Sequence, residues 1–463
     1  MKQFNDVFDI DGYWWLPENP TKTVAGTLHY SPEKMSLNLI GAFADIKESL
    51  SRFECPIILG FSTGGKSITL YKSYSSNFSM SNPSLPSSSY AVLQLFIGHH
   101  FQKEDELKFS KIFVHLTHFD EWIGISGFFM NLDSIKENKI SITYSQPKEI
   151  KFSINETFSI TIGFGYSINT KNNDEKEQSI QQRTGITIET ENDLPFIQFL
   201  NVLSDIRQFL GLACLHPIHP LEVTGLMKSN EQKIDGQTIN PSIEIYFQQH
   251  KMPTKIKELH SMHMLFTCRD ISHDVGHYFK KWFENKSVLE PIYNLYSEVL
   301  HKNEMAIDQQ FLLLIHAVEA YHRRTSDETE IDESAHKQRI SEIITSVPDH
   351  YKDWLKTKLQ FSNELSLPKR LDILLTQFPF ILENFDVESK LFIRKIADVR
   401  NYLTHYSNKA KSELDDRHKL FDMCQRLKLL IESSLLYQLG FENSKIAALI
   451  EKSKFIKGLK DPV

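Results

Sequence analysis

The residues best suited to chemistry lie together near the C-terminus, in the run Arg400–His405 with the sequence RNYLTH. A histidine titrates near neutral pH and can move a proton, while an arginine carries a permanent, forked positive charge that suits a phosphate. These groups could cleave RNA without a metal: the ribose 2′-OH attacks the neighbouring phosphodiester, His405 moves protons, and Arg400 stabilises charge on the phosphoryl oxygens. We therefore expect no cofactor and no metal ion, and we expect DNA, which lacks the 2′-OH, to be inert.

A predicted amphipathic helix carries these residues. Apolar side chains recur at spacings of three and four and predict one buried face. They are Phe392, Ile396, Val399, Leu403 and Tyr406. At about 100° per residue, a polar group clusters on the opposite face, with Arg400 on its flank. This group comprises Arg394, Asp398, Asn401 and His405.

The spacing on this polar face predicts two further features. Asn401 and His405 are four residues apart, so the amide can orient the imidazole. Because the face points away from its own core, a second subunit would complete the site, and its histidine would supply a base and acid pair. Neither Arg400 nor His405 lies on the apolar stripe, so replacing either one should leave folding almost intact.

A simpler interpretation of the same face is a solvated surface that carries an Arg394–Asp398 ion pair. The region is nevertheless locally basic, because only Asp398 opposes a set of cations between positions 394 and 411. These cations are Arg394, Lys395, Arg400, Lys409 and Lys411. Glu319 could contribute to the site from the predicted helix 305–323, where it shares a face with His316 and Arg323. The alternative for these three is a polar flank of the core, satisfied locally.

Bulk properties restrict the class of protein. A chain of 463 residues predicts at least two domains, and a net charge of -7 excludes a global electrostatic footprint for nucleic acid. No apolar run is long enough to span a bilayer, and the opening residues do not resemble a signal peptide, so we expect a cytoplasmic protein without membrane contact. The four cysteines are far apart and contain no CxxC, which argues against disulfides and a cysteine zinc cluster.

The first part of the chain, to about residue 165, is typical of short strands and predicts a sandwich or barrel. The predicted strands are Thr23–Tyr30, Met35–Ile40, Ile57–Phe61, Ser67–Tyr71 and Ile140–Tyr144. A polar stretch, Asn169–Arg183, predicts a long loop, and Leu194–Leu215 predicts a helix. A further strand at Ile243–Phe247 and an apolar stretch at Met264–Thr267 indicate that this region completes the N-terminal domain.

Beyond residue 290 the pattern is helical and predicts a bundle. Two further apolar stripes resemble that of the helix with Arg400. One contains Ile307, Phe311, Leu314, Val318 and Tyr321, and the other contains Leu420, Cys424, Leu427 and Ile431. Asp415 and Asp416 are expected caps of the last long helix, and Gly440 is its expected stop. The predicted fold is multidomain α+β: a β-rich, sandwich- or barrel-like domain over residues 1–288, followed by an all-α bundle over 289–463.

Three other patterns are weaker. Gly60–Ser67 matches the phosphate-loop sequence, but an alternating strand follows it instead of a helix, so we predict a hairpin. His273–His277 (HDVGH) resembles the HExxH zinc motif with aspartate in place of glutamate. The shorter carboxylate reaches less far, and Gly276 weakens the helix that must hold both imidazoles, so we do not expect a metalloprotease. Trp14 and Trp15 could form a ligand platform, although anchoring of a strand in a β-core is the simpler interpretation. Other close histidines could bind zinc in principle, although surface or hydrogen-bonded core residues are the simpler interpretation. These histidines are His115/His118, His216/His219 and His260/His263.

Two segments resemble a known family. RNYLTHY, residues 400–406, resembles the R-[polar]-x(3)-H signature of HEPN ribonucleases. GYWWLPENP, with GTLHY and MSLNLIGAF soon after, resembles the N-terminal domain of ApeA-type anti-phage proteins, in which a HEPN domain follows. The resemblance implies a metal-independent endoribonuclease that dimerises, or assembles further, through its HEPN bundle and leaves 2′,3′-cyclic phosphates. Arg400, Asn401 and His405 are the positions that match the signature.

The resemblance also implies a biological role. ApeA-like proteins are abortive-infection effectors, so the N-terminal domain would sense a phage-derived trigger or regulate activity, and the HEPN domain would cut RNA, with tRNA the expected target. A second interpretation remains open. In it the bundle is a catalytically silent dimerisation or RNA-binding module, and the β-domain binds a protein or a small ligand.

Overall fold

The computed structural model describes residues 2–43, 54–79, 87–131, 141–169, 179–234, 237–249, 252–253, 255–301, 304–382, 388–405 and 417–456. The chain forms two compact units, residues 1–280 and 281–463. The sequence predicts a division a few residues later, between 288 and 289. The separate functions assigned to the two parts remain predictions.

The first unit begins with a closed β-barrel. Its strands are β1 (Phe8–Trp15), β2 (Val24–Ser31), β3 (Lys34–Ile40), β4 (Glu54–Ser62), β5 (Ser67–Ser79) and β6 (Ser87–Ile97). All neighbours are antiparallel and follow the order β1-β4-β5-β6-β3-β2, with β2 returning to β1. Side chains alternate between faces, so Trp14 is fully buried. Its ring lies against Gly60, where a Cβ would be 2.4 Å from the indole.

The phosphate-loop look-alike is a hairpin, as predicted. Gly60–Ser67 spans the end of β4, a tight turn and the start of β5, and Gly65 has φ of 78°. Positive φ is easily adopted only by glycine. The Lys66 ammonium pairs with Glu244, Nζ to Oε1 at 2.8 Å.

The same antiparallel sheet continues beyond the barrel. The remaining strands are β7 (Lys108–Leu116), β8 (Phe128–Asn131), β9 (Ser141–Tyr144), β10 (Ile150–Ser153), β11 (Ser159–Asn169), β12 (Ser179–Pro195), β13 (Pro220–Leu226), β14 (Gln232–Ile234), β15 (Gln237–Ile239) and β16 (Ile243–Phe247). The sheet order is β10-β11-β12-β7-β13-β16, and β16 pairs with β6 of the barrel. Strands β8 and β9 form a separate two-stranded antiparallel sheet, as do β14 and β15.

The predicted loop at Asn169–Arg183 is wrong at both of its ends. Strand β11 continues to Asn169 and β12 starts at Ser179, where the two residues pair. Polar composition hid these strand ends because a sheet with a solvent-facing side accepts polar residues there. The part of the prediction at residues 170–178 lies outside the described residues.

Helices of the first unit cover one side of this part of the sheet. They are α1 (Phe119–Ile123), α2 (Phe196–Cys214) and α3 (Val275–Glu284), the last of which ends in the second unit. Helix α2 confirms the helix predicted at Leu194–Leu215 to within two residues. The Phe209 and Phe279 rings pack with centroids 4.2 Å apart, which joins α2 to α3. Residues 264–266 are buried in irregular structure, and the Leu265 N–H donates to the Ala213 carbonyl at 2.8 Å.

The second unit is helical, as predicted. Its helices are α4 (Lys286–His301), α5 (Ile307–Thr325), α6 (Glu333–Ser346), α7 (Asp349–Leu359), α8 (Leu367–Gln377), α9 (Ser389–His405), α10 (Arg417–Gln438) and α11 (Asn443–Ile456). The predicted stripes on α5 and α10 are buried, apart from half-buried Ile307. Helices α6 and α7 bury no residue. Gly440, with φ of 88°, follows α10 and confirms the predicted stop. Asp415 and Asp416 lie outside the described residues.

Two further observations concern cysteines and membranes. All four cysteines are buried and free. In the described segments, no helix is both long and apolar enough to cross a membrane.

Candidate active site

Helix α9 presents an apolar face to the bundle and a polar face to solvent. Its buried residues are Phe392, Ile393, Ile396 and Val399. Leu403 is half-buried, and Tyr406, the last member of the predicted stripe, lies outside the described residues. On the other side Asn401 and His405 are exposed, as are the Arg394 and Asp398 side chains at 82% and 55%. The helix therefore has the two-faced arrangement that the sequence predicts.

Arg400 connects α9 to α5. Its Nη2 donates to Oε1 of Glu319 at 3.2 Å, and the Arg400 and Glu319 side chains are 32% and 18% exposed. This contact is a charge-assisted hydrogen bond in partly dry surroundings, so it fixes the guanidinium more firmly than a surface pair would. The structure thus brings the predicted Glu319 to Arg400. Arg323 instead pairs with Glu364 at 2.8 Å, and His316 is exposed.

Asn401 differs from its expected arrangement. Its Oδ1 accepts a hydrogen bond from Arg400 Nη1 at 3.3 Å, and among the described residues it makes no hydrogen bond to His405. The short reach between neighbouring residues on one helix favours this contact. His405 is the last described residue of α9 and is exposed. Two predicted neighbours, Lys409 and Lys411, lie outside the described residues.

Arg394 and Asp398 form an open ion pair, with Nε to Oδ2 at 3.8 Å. Both side chains are well exposed, so the pair contributes little to stability and both charges stay accessible to a ligand. The pair borders a groove of about 480 Å³ between α8 and α9. The groove is lined by Pro368, Lys369, Asp372, Lys390, Ile393, Arg394, Ala397 and Asp398.

A buried polar network next to this site was not found from the sequence. The Arg370 side chain on α8 is buried, donates from Nε to the Leu365 carbonyl at 2.8 Å, and lies 3.2 Å from Nδ1 of buried His322 on α5. Its Nη2 also reaches Glu364 at 3.4 Å. Burial, aided by Arg370, lowers the pKa of His322. A sequence signal existed, since Arg370 directly precedes the apolar helical positions Leu371 and Leu374.

A buried carboxylate, separate from this network, lies in the bundle core. Glu432 on α10 is fully buried, accepts a hydrogen bond from the Tyr296 hydroxyl on α4, and receives another from Ser453 at 3.4 Å. Burial first, and then Glu432, raise the pKa of Tyr296. These contacts tie three helices together and lie in the core, so we assign them a structural role.

The histidine pairs named above do not form a metal centre among the described residues. No group of three or more His, Cys, Asp or Glu side chains converges there. His118 and His216 do approach each other, with ring centroids 5.8 Å apart. Burial, with a smaller effect of His216, lowers the pKa of His118 to about 4. In the HDVGH segment, His273 contacts Tyr278 at 3.3 Å.

The fold and site together define a class: a β-barrel-containing domain followed by a helical bundle in which one helix presents an Arg-x(4)-His pair. Comparison with protein families identifies both parts. The family described as ApeA N-terminal domain 1 matches residues 9–282, and Apea-like HEPN matches residues 312–445. The chain therefore belongs to the ApeA-like family of antiviral defence proteins with a HEPN domain. No curated protein and no solved structure matches the chain.

Proposed function

We propose that this protein is a metal-independent endoribonuclease of antiviral defence, with Arg400, Asn401 and His405 as its active-site residues. One observation carries the proposal. Arg400 lies on the same helix as the exposed His405, and its guanidinium is held by Glu319 of α5 at 3.2 Å. With Nη2 donating to Glu319 and Nη1 to Asn401, the anchored guanidinium still has further N–H groups for a phosphate. HEPN domains are usually ribonucleases, which supports the same assignment.

In this scheme Arg400 binds the scissile phosphate and stabilises the charge that develops on its oxygens. His405 takes the proton from the ribose 2′-OH or gives one to the leaving 5′-oxygen, and a second copy of His405 performs the complementary step. Asn401, bonded to Arg400, helps to orient the guanidinium. The products are a 2′,3′-cyclic phosphate and a 5′-hydroxyl. Because HEPN domains typically dimerise and bind RNA, a homodimer is the expected active form.

The groove between α8 and α9 supplies a path for the RNA backbone. Lys390 and Arg394 lie one helical turn apart at its border, and Arg394 is 82% exposed. Exposed cations along a helix can each neutralise a phosphate. Asp398 borders the same groove, and its replacement by a cation would alter both phosphate binding and contacts with a second copy.

We assign infection sensing to the N-terminal domain and RNA cutting to the HEPN domain, with tRNA in the cytoplasm as the expected target. The trigger would be phage-derived and would act at the N-terminal domain. The abortive outcome would follow from loss of host RNA. The families that match the two parts support this division of labour.

The decisive test is mapping of RNA ends that carry 2′,3′-cyclic phosphates. Cells expressing wild type, His405→Ala or the control His350→Ala are compared with and without phage, and purified proteins are then assayed in EDTA. His350 is also exposed but lies on α7, which buries no residue. We expect new ends with wild type and with the control, in EDTA as well, and none with His405→Ala. Identical ends from all three proteins would overturn the proposal.

A further inference from the structure

At two strand glycines of the first unit, the described residues leave room for a side chain. Glycine weakens a strand interior and often marks a place where a ligand approaches the backbone. At five other strand glycines a Cβ would lie 2.3–2.4 Å from another atom, so glycine is required there. These are Gly12, Gly26, Gly60, Gly185 and Gly225. At Gly163 and Gly165 the nearest atoms are 3.8 and 3.9 Å away, which is ordinary contact.

Both glycines lie on one face of β11. Residues two apart in a strand share a face, and Gly163 pairs with Gly185 of β12 while Gly165 pairs with Arg183. Gly163 is half-buried and Gly165 is exposed, so this bare stretch of backbone is open to solvent. It forms the floor of a cavity of about 460 Å³. That volume is large enough for a nucleotide-sized ligand.

The walls of this cavity combine an aromatic ring with hydrogen-bond donors and acceptors. The Phe113 ring lies over Gly185, where a Cβ would be 2.4 Å from it, and packs edge-on against His115 with centroids 4.7 Å apart. His115 Nδ1 lies 3.0 Å from the Thr184 carbonyl, which can only accept, so Nδ1 donates. When the ring is neutral, Nε2 is therefore an acceptor.

Charged groups complete the walls. The Arg183 side chain is 47% exposed and pairs loosely with Glu222, Nη1 to Oε1 at 3.6 Å. Its guanidinium has further N–H groups that can donate to an anion or a ring oxygen. Glu149 lines the other side, with its carboxylate 3.8 Å from the position of a Cβ at Gly163. The cavity thus offers donors and acceptors around a flat floor.

We infer that this cavity binds a nucleobase, stacked flat on the Gly163–Gly165 backbone. A backbone floor without side chains lets a planar ring approach closely and lie flat against it. The edge of a base carries both donors and acceptors, which match those of Arg183, His115 and Glu149. Two sources present this chemistry: a free nucleotide, or an unpaired base of an RNA. The inference does not depend on cleavage by Arg400 and His405.

The test adds side chains to the floor of the cavity by substitutions that a β-strand accepts. Gly163→Val and Gly165→Val place a β-branched residue, favoured in strands, at positions with room for a Cβ. Ser159→Val is the control, because Ser159 lies on the same strand and face but outside the cavity lining. Full-length proteins carrying His405→Ala, so that RNA stays intact, are titrated with each ribonucleoside triphosphate, with tripolyphosphate, and with a mixed-sequence single-stranded RNA.

We expect the background protein and the Ser159→Val control to bind at least one base-containing probe and not tripolyphosphate. Gly163→Val should weaken that binding at least tenfold while its Tm stays equal or rises. Binding of free triphosphates identifies a nucleotide ligand, and binding of RNA alone identifies an unpaired base. Binding of no probe, equal binding of tripolyphosphate, or unchanged binding by both valine variants would overturn the inference.

Discussion

Arg400 and His405, two of the proposed active-site residues, should differ in their effect on stability, because Arg400 forms an ion pair with Glu319. Neither residue is on the apolar stripe, and from the sequence both substitutions should be nearly neutral. The structure changes this expectation for Arg400, because Arg400→Ala leaves Glu319 with an uncompensated charge at 18% exposure. His405 is exposed, so His405→Ala removes little. Arg400→Ala should therefore be less stable than His405→Ala, and this difference tests whether Glu319 holds the Arg400 side chain in place.

The size of the effect follows from exposure. Fully exposed ion pairs contribute about 0.2–1 kcal/mol, and hydrogen bonds to charged groups about 1.5–3 kcal/mol when buried. At 3.2 Å and partial exposure, we place the Arg400–Glu319 coupling near 1 kcal/mol, between these limits. For a unit of this size that corresponds to a fall in Tm of about 2–4 °C. His405→Ala should stay within about 0.5 kcal/mol of wild type.

The assay is a double-mutant cycle with Arg400→Ala, Glu319→Ala and both together, read by thermal unfolding and by RNA cleavage in EDTA. The double variant should be more stable than the sum of the single losses predicts. Arg400→Lys is the matched control: it keeps the charge and much of the stability but loses the fork, so cleavage should remain low. His405→Ala should reduce cleavage by about 10²–10⁴-fold. A coupling energy of zero, or full cleavage by Arg400→Ala, would refute the reasoning.

Three further predictions concern other residues. Asp398→Lys should impair cleavage or dimerisation in activity and sedimentation measurements, but change stability by less than about 1 kcal/mol, because the Asp398 side chain is 55% exposed. Tyr296→Phe should lower the free energy of unfolding by about 1–3 kcal/mol in denaturant melts, because buried Glu432 loses a donor. The pKa of His118, about 4 against 6.5 for an ordinary histidine, makes the unfolded chain bind the proton first. Protonation of His118 alone should therefore lower stability by about 3 kcal/mol as pH drops from 6.5 to 4, and His118→Asn should remove that contribution from the slope in pH-dependent melts.

Each of these has a contrary result. Asp398→Lys with unchanged activity and sedimentation would exclude a role for this face. An unchanged melt for Tyr296→Phe would mean that Glu432 finds a replacement donor. An identical pH slope in wild type and His118→Asn would show that other groups carry the acid sensitivity.

Periodicity allowed much of the fold to be predicted. The alternation in β1 to β6 and the spacing on α5, α9 and α10 follow from one buried face each, so short windows of sequence reveal them. The predicted ends of strands were wrong where this periodicity is weak. The polar ends of β11 and β12 read as a loop because their pairing, Asn169 with Ser179, is a contact between strands rather than a property of either segment.

For the site, the sequence determined which residues are available and on which helix face they lie. The Arg400–His405 spacing and the two-faced character of α9 are local properties of a helix with 3.6 residues per turn. Only the tertiary structure decided their partners. Glu319 is 81 residues from Arg400 along the chain, and Arg370 on α8 contacts His322 on α5. Packing of α5, α8 and α9 brings these positions together, and no local sequence pattern relates them. The same holds for the open floor at Gly163 and Gly165: the sequence shows the glycines, but only the packed sheet shows that the described residues leave room for a side chain there.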